Sequence, residues 1–359
     1  MAKRIVLLGP CPPPYGGVAI FTAGLFQFVR DLGVELWSEG VQKTPNTRPT
    51  NYRRLGLVPL LLKRGFKARI VDQYHFLLEY PNPLMVPIWV VLKFVLRFQW
   101  IKVVHDGSLP TRYQAFSSLR RMLFRMSVSA VDEFVTVNDN IGDFLRKEIG
   151  VRQTVRTVNA LLPIPPGDPN HLPKELESGL ERYDKVVVST GVFIPSYGFA
   201  PVADAVEAIR SETGKNVGLV LIDGAFVRDE AYRETVLGHR NWIILLEQVA
   251  HPQVLQIFRR SSVFVRGFRY EGYGLSRIEA IWCGIPVIAA RGEESRGILI
   301  YDFEDTEALR AHMRRVLNNP DSRDIHHWAS VFQREAEENL ERWKQILGVE
   351  GRVGVNHPS

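Results

Sequence analysis

The chain has 359 residues, of which 45% are hydrophobic and 23% are charged. This length exceeds what one hydrophobic core usually fills, so two domains are expected, and the composition excludes a disordered or fibrous protein. The two cysteines, Cys11 and Cys283, lie too far apart in sequence for a disulfide framework or a cysteine-based metal site, which fits a cytoplasmic protein.

The first part of the chain alternates strand and helix patterns, which predicts a Rossmann-like α/β domain over residues 1–163. The N-terminal apolar run is its first strand and is too short for a signal peptide. Strands are expected at residues 4–8, 33–37, 69–72, 100–105, 134–137 and 155–158, and helices at residues 18–32, 84–98, 117–130 and 141–149. Gly16 and Gly17 precede the first helix, where glycine either lets the backbone approach an anion or simply closes a turn.

Basic residues are concentrated in this first domain. Residues 51–130 carry thirteen Lys or Arg and three acidic residues, a net charge of +10, whereas the whole chain has +6. Within them, residues 84–104 have about the apolar length of a membrane span. We expect a helix followed by a strand instead, because Lys93, Arg97 and Lys102 interrupt the run. The excess of positive charge predicts an anionic partner for this domain.

The helix expected at residues 117–130 is both basic and amphipathic. Arg120, Arg121 and Arg125 lie among apolar residues. This pattern is typical either of a solvated helix face or of a helix that contacts anionic lipid headgroups.

A proline-rich segment follows, so residues 164–184 are predicted to be a linker. A second Rossmann-like α/β domain is expected over residues 185–330. Its strands are predicted at residues 185–189, 217–222, 242–246, 263–265 and 287–290, and its helices at residues 200–211, 252–260, 275–282 and 306–317. Residues 331–359 would hold most of a long amphipathic helix, expected at residues 326–347, and a disordered tail.

The stretch 263–291 combines a short strand, a glycine-rich loop and a helix, and open α/β sheets bind ligands at such loops. Glu271 lies in the loop, where a carboxylate can accept hydrogen bonds from sugar hydroxyls. Glu279 lies in the helix, where it can bind both hydroxyls of a ribose. The first amides of the helix offer N–H groups to a phosphate. They belong to Gly274, Leu275 and Ser276. This unit therefore predicts a site for a nucleotide sugar.

From Glu271 to Val287 the chain reads Glu-Gly-Tyr-Gly-Leu-Ser-Arg-Ile-Glu-Ala-Ile-Trp-Cys-Gly-Ile-Pro-Val. This segment resembles the signature of the retaining glycosyltransferases of family 4. The resemblance implies the GT-B fold, in which two Rossmann-like α/β domains face each other across a cleft and the C-terminal helix crosses back to the first domain. It also implies a UDP- or GDP-sugar donor in the second domain, a sugar or lipid-linked acceptor in the first, and transfer with retention.

The resemblance also assigns residues outside this segment. Pro-Pro-Tyr-Gly-Gly at residues 13–17 is similar to a family loop that faces the donor phosphates and the acceptor, which places Gly16 and Gly17 in the donor site. Gly191 begins the corresponding loop of the second domain. His105 follows a predicted strand after which the family usually has a histidine close to the transferred sugar. Without the resemblance, His105 reads as a packing residue.

The chain departs from the family where the donor diphosphate is neutralised. Val192 and Tyr197 stand in the places of the usual Arg and Lys. Arg266 is the first candidate to replace them and is assigned a catalytic role, followed by Arg269, assigned to donor binding, and Arg296. The chain has no convincing Asp-x-Asp metal motif, so no metal is expected.

The resemblance implies a hexosyltransferase of surface polysaccharide or glycolipid synthesis, and with the basic region it suggests a cytoplasmic protein at the inner face of a membrane. A sugar-nucleotide epimerase of the same fold would use the same donor site. A non-catalytic partner subunit is the second alternative, because the usual Arg and Lys are missing. Nucleic-acid binding is disfavoured, since the basic region lacks a recognised motif.

Overall fold

The computed structural model describes residues 4–38, 52–53, 56–164, 172–225, 227–290, 292, 294–319 and 323–352. The chain divides into two compact units. Unit 1 comprises Met1–Pro13, Val18–Pro163 and Ala336–Ser359, and unit 2 comprises Pro14–Gly17 and Ile164–Glu335. Residues 165–171 of the predicted linker and residues 353–359 of the predicted tail lie outside the described residues.

Unit 1 contains a parallel sheet, which has seven strands in the described part of the chain, in the order β3-β2-β1-β4-β5-β6-β7. The strands are β1 Ile5–Leu8, β2 Val34–Trp37, β3 Tyr52–Arg53, β4 Arg69–Asp72, β5 Gln99–Val104, β6 Glu133–Thr136 and β7 Thr154–Thr157. The central strands are buried on both faces, as expected where helices cover a parallel sheet. The direction of strand order reverses between β1 and β4, the point at which sheets of this type bind ligands.

The helices of this part of the chain are α1 Gly17–Val29, α2 Leu57–Arg64, α3 Met85–Leu96, α4 Leu109–Gln114, α5 Ser118–Ala130 and α6 Asp139–Asp143, which continues as a π-helical turn. The apolar stretch 84–104 is α3 followed by β5, as predicted. Helices α2 and α4 were not predicted, because both are short and carry a proline near their start, Pro59 and Pro110.

Unit 2 contains a second parallel sheet, with six strands among the residues that are described, in the order β10-β9-β8-β11-β12-β13. The strands are β8 Lys185–Gly191, β9 Val217–Asp223, β10 Ile243–Glu247, β11 Val263–Arg266, β12 Val287–Ala290 and β13 Ile298–Tyr301. Only β13 was not predicted. β8 and β11 are neighbours at the centre of the sheet, so the loops that follow them lie at the same edge.

The helices of this part are α7 Lys174–Glu181, α8 Phe199–Thr213, α9 Glu230–Leu237, α10 His251–Arg259, α11 Leu275–Trp282, α12 Thr306–Asn318 and α13 Arg323–Leu347. α7 corrects the prediction that residues 164–184 are a linker throughout. Pro173 precedes its first turn, where proline is compatible with a helix, and Leu180 is buried.

The last helix, α13, contributes its first half to unit 2 and its second half to unit 1. Trp343 of α13 is fully buried, and its indole Nε1 donates to the carbonyl oxygen of Asn159 at 3.2 Å. Its ring also packs 5.1 Å from Phe21. Residues 348–352, expected to begin a disordered tail, are ordered, because Val349 is buried and Arg352 Nη1 donates to the carbonyl oxygen of Leu32 at 3.1 Å.

Candidate functional site

Arg266 and Glu271 form a nearly buried ion pair at the carboxyl end of β11. Arg266 Nε donates to Glu271 Oε2 at 2.7 Å, and the two side chains are 13% and 9% exposed. Arg266 Nη1 also donates to the carbonyl oxygen of Thr190 at 2.6 Å, on the neighbouring strand β8. These contacts fix the guanidinium beside Gly191, where the first loop of unit 2 begins.

Both members of this pair are charged at neutral pH. Burial favours the neutral acid, but Arg266 and Arg277 lower the pKa of Glu271 below its ordinary value. Burial also disfavours the guanidinium, but Glu271 raises the pKa of Arg266. Glu271 is therefore suited to accept hydrogen bonds from hydroxyls, and Arg266 to attract an anion.

Tyr197 and Phe268 stack beside the Arg266 guanidinium. Their ring centroids are 4.1 Å apart, and the guanidinium carbon lies 5.3 Å from the first ring and 5.2 Å from the second. Tyr197 stands where the resemblance expects a lysine. Arg266, at the end of β11, therefore supplies a cation next to a position where the sequence lacks one. Gly191 is needed here, since a Cβ on it would collide with the Tyr197 ring.

Arg277 is fully buried, which was not predicted because an arginine within a helix usually faces solvent. Its Nη2 donates to the carbonyl oxygen of Tyr273 at 2.8 Å, and its Nε has no acceptor among the described residues. Gly274 has a φ of +79°, which side chains rarely adopt, and a Cβ there would also collide with this guanidinium. Both facts explain why this residue is glycine. Helix α11 begins directly after it, and the first amides, those of Leu275 and Ser276, have no acceptor within the helix.

Glu279 lies on α11, is only 5% exposed, and is hydrogen-bonded to His251, the first residue of α10. His251 Nε2 and Glu279 Oε1 are 2.6 Å apart. Burial opposes a charged imidazole, but Glu279 outweighs it and raises the pKa of His251. The contribution of this pair to stability is therefore complete below about pH 6.5 and is lost as the pH rises through the raised pKa. The position of His251 after β10, at the ligand edge of the sheet, was the signal available in the sequence.

Two of the arginines considered as cations for the donor are engaged elsewhere. The Arg269 side chain is 46% exposed, and its guanidinium pairs with Glu304 and lies over the Phe303 ring. Arg296 pairs with Glu294 and Glu335. Arg266 is thus the arginine that the structure places against Glu271, and a role of Arg269 in donor binding stays a prediction.

Gly16 and Gly17, predicted to face the donor phosphates, lie at the start of α1. A Cβ on Gly17 would meet no atom within 4 Å, so packing does not require glycine at this position. The assignment of both glycines to the donor site stays a prediction.

His105 follows β5 in unit 1, as predicted. Its Nε2 is hydrogen-bonded to the side-chain oxygen of Gln73, and its ring lies 5.5 Å from Phe21. Burial, with smaller contributions from His75 and Lys102, holds the pKa of His105 well below its ordinary value. The imidazole is therefore neutral at physiological pH, and its catalytic role stays a prediction.

Within the described ranges, no three His, Cys, Asp or Glu side chains come together as metal ligands. The Glu304 carboxylate, which belongs to the segment Asp302-Phe303-Glu304, is paired with Arg269. Independence from metal remains a prediction.

Residues 174–327 match the sequence profile of the family described as Glycosyl transferases group 1. The matched range contains β8, β11 and α11, with the Arg266–Glu271 pair. A curated relative, the O-antigen chain mannosyltransferase B of Escherichia coli, is 26% identical over 142 residues, which are 38% of this chain and 37% of the relative. The chain thus aligns with little more than a third of that protein.

Solved structures match nearly the whole chain. HepE of Anabaena in complex with UDP-glucose has a TM-score of 0.71 at 16% identity, with 96% of this chain and 98% of that chain covered. An α,α-trehalose-phosphate synthase (UDP-forming) from Burkholderia xenovorans has a TM-score of 0.72 at 12% identity, covering 96% and 100%. A sucrose-phosphate synthase from Thermosynechococcus elongatus has 0.65 at 18% identity, covering 96% of each. These matches confirm the predicted GT-B fold.

Proposed function

We propose that this protein is a retaining glycosyltransferase that moves a hexose from a UDP- or GDP-sugar to a sugar or lipid-linked acceptor, in surface polysaccharide or glycolipid synthesis. The observation that carries the proposal is the arrangement of Arg266, Glu271 and Glu279 around the start of α11, within the range matched by the family profile. HepE has the same fold and is described in complex with UDP-glucose, and the curated relative is a mannosyltransferase.

In this proposal each group of unit 2 has one task. Glu271 accepts hydrogen bonds from the transferred sugar, whose ring gains positive charge as the bond to the diphosphate breaks. Arg266 and the first amides of α11 stabilise the leaving diphosphate, as preorganised donors do where charge develops. Glu279 binds the ribose. Arg266 contacts only Oε2 of Glu271 among the contacts described, which leaves the other oxygen for the sugar.

Replacing Glu279 by alanine should weaken binding of the nucleotide sugar. The carboxylate would no longer accept hydrogen bonds from ribose, and bonds to a charged partner contribute about 1.5–3 kcal/mol. Calorimetry with the donor measures this loss. Glu307→Ala, at an exposed position of α12, is the control that should leave affinity unchanged. Wild-type affinity in Glu279→Ala would remove Glu279 from the site.

The same titration tests the partner of Glu279. His251→Asn should also weaken donor binding, because Glu279 loses the contact that orients it. The difference in donor affinity between His251→Asn and wild type should be largest below about pH 6.5. It should shrink as the pH rises through the raised pKa of His251, because the wild-type imidazole then loses its charge. A difference that is constant with pH would contradict an ionic contact.

The donor itself can be identified by a thermal-shift screen against nucleotide sugars, followed by product analysis with and without acceptors. Transfer should persist in excess EDTA, and activity that is lost and then restored by Mn²⁺ or Mg²⁺ would contradict the metal-free reading. Conversion of the donor to an epimer without any acceptor would favour the epimerase. Binding with neither transfer nor hydrolysis would favour a non-catalytic subunit.

An anionic membrane is the proposed partner of unit 1. The aromatic residues closest in sequence to the basic ones, Trp89, Trp100 and Phe124, are buried, and so is Lys102. In their place, the packed helices α3 and α5 and the residue before α3 expose large apolar side chains between 53% and 68%. These are Leu84, Val91, Phe94, Val95, Leu119 and Met122. No helix in the described part of the chain could span a bilayer.

Co-sedimentation with liposomes tests this surface. Arg120, Arg121 and Arg125 are exposed on α5, and each cation near an anionic surface contributes about 1 kcal/mol. Binding to anionic vesicles should exceed binding to neutral ones, fall with added salt and drop in the Arg120/Arg121/Arg125→Ser triple variant. Equal recovery with both kinds of vesicle would exclude the membrane and favour a soluble acceptor.

A further inference from the structure

Three ionisable side chains near the carboxyl ends of β4 and β5 are fully buried: Asp72, Glu79 and Lys102. None of them has been assigned a role so far. Lys102 Nζ lies 3.2 Å from Glu79 Oε2 and 3.9 Å from Asp72 Oδ2, and all three side chains are 0% exposed. The ammonium also donates to the carbonyl oxygens of Tyr74 and Val103, each at 2.7 Å. Lys102, counted in sequence as part of the basic surface, is instead the centre of a buried network.

Stability alone does not explain such a network. Removing charges from water is costly, and apolar side chains of similar size often do as well or better in a core. Burial favours a neutral Glu79, but Lys102 and His75 lower the pKa of Glu79 below its ordinary value. What the network provides is a carboxylate that stays charged and fixed in place inside the protein.

This carboxylate is directed at His75. Glu79 Oε1 and His75 Nδ1 are 3.2 Å apart. Because an ionised carboxylate only accepts hydrogen bonds, Nδ1 carries a proton, and in the neutral imidazole the lone pair is then on Nε2. The His75 side chain is 34% exposed, so a ligand can reach it. His105 differs, since its Nε2 is already hydrogen-bonded to Gln73 and no carboxylate pairs with it among the described residues.

An exposed aromatic ring flanks His75. Tyr80 is 54% exposed, and its ring centroid lies 6.2 Å from that of His75. Arg112 lies 3.9 Å from the Tyr80 ring and is held there by Asp106. An amphipathic ring beside polar groups in fixed positions suits a sugar, which presents both C–H surfaces and hydroxyls.

We propose that the Glu79–His75 pair is the hydrogen-bond acceptor that orients the attacking hydroxyl of the acceptor sugar. This proposal rests on the proposed function, because only a glycosyltransferase binds an acceptor sugar. His75 Nε2 accepts from the hydroxyl, Glu79 fixes the tautomer and the ring, and Lys102 keeps Glu79 charged. Tyr80 packs against the sugar ring. His75 and not His105 is then the histidine of unit 1 that contacts the acceptor.

Two substitutions separate the roles of the ring nitrogens. His75→Asn keeps an amide donor for Glu79 but removes the acceptor at Nε2, whereas His75→Gln extends an amide towards the Nε2 position. With the donor found in the screen and methyl hexosides as probes, we expect His75→Asn to lower kcat/KM for the acceptor at least tenfold, roughly, and His75→Gln to lower it less. Donor affinity and donor hydrolysis by water should stay at wild-type values.

His239→Asn is the matched control. His239 also pairs with a glutamate, Glu207, at 3.0 Å, but on the surface of unit 2, where the side chain is 83% exposed. It should leave both transfer and hydrolysis unchanged. Equal losses of transfer and donor affinity in His75→Asn, or no loss of transfer, would overturn the assignment.

Nuclear magnetic resonance of the full chain with ¹⁵N-labelled histidine tests the site without any activity. We expect His75 in the Nδ1–H tautomer, and a shift of its ring signals on titration with methyl hexosides. The opposite tautomer, or ring signals that no methyl hexoside shifts, would overturn the proposal. A protein that binds no nucleotide sugar would refute the proposed function, while the tautomer and the sugar titration would still decide on this site.

Discussion

Replacing Arg266 by methionine should lower turnover by at least about 100-fold, because a fixed donor to the charge that develops in the transition state is lost. The same change leaves Glu271 buried beside a neutral side chain, which should reduce the free energy of unfolding by about 3–5 kcal/mol. Turnover at saturating donor and urea unfolding measure the two effects. Turnover close to wild type would show that the leaving diphosphate is stabilised elsewhere.

A double variant separates stability from chemistry. In Arg266→Met/Glu271→Leu neither member of the ion pair remains, so stability should recover part of what the single variant lost. The recovery is partial because the buried Arg277 loses the nearby Glu271 carboxylate. Activity should not recover, since both proposed contacts with the donor are absent. If the double variant were as unstable as Arg266→Met, the loss would come from packing against Tyr197 and Phe268 and from the counter-charge that Arg277 loses, and not from an unpaired Glu271 carboxylate.

Replacing Lys102 by methionine should have a similarly large effect on stability. Asp72 and Glu79 would then be buried without a cation, at a cost of about 3–5 kcal/mol at pH 7. Urea unfolding measures this loss. Lys93→Met is the control, because Lys93 forms an ion pair with the partly exposed Asp132, and such pairs contribute about 0–1 kcal/mol.

The loss of stability in Lys102→Met should also depend on pH. In the wild type the pKa of Glu79 is lowered, so its contribution is present above the unfolded value of about 4.3 and is lost as the pH falls through the lower folded value. Without Lys102, burial favours protonated carboxylates, and protonation is easier at pH 5 than at pH 7. The difference between Lys102→Met and wild type should therefore shrink on acidification. A difference equal at both pH values would show that packing of the lysine stem is what matters.

Local signals in the sequence were sufficient for most of the fold. Helix α11 and strand β12 have the predicted bounds, because Gly274 and Gly284 mark the ends of the helix and β-branched residues fill the strand. Parallel order followed from the alternation of strands and helices. The short helices α2 and α4 were missed, since so few residues show no helical period.

The partners of the charged residues could not be predicted in the same way. Lys102 interrupts an apolar run, so it was expected to be exposed. In the structure it contacts Asp72 and Glu79, which are distant from it in sequence. His251 and Glu279 meet across 28 positions for the same reason. Candidate residues were recognisable by type and spacing. Their pairing depends on which strands become neighbours, and local sequence patterns carry no information about that.

Helix α13 has a consequence for the order in which the protein can be completed on the ribosome. Asn159 and its partner Trp343 are 184 positions apart, and the strands β8 to β13 of unit 2 are synthesised between them. Domains usually fold one after another as they emerge. Here the sheet that emerges first obtains the packing residues of α13 only after the second sheet has emerged, so an incomplete nascent chain holds a finished unit 2 and an unfinished unit 1.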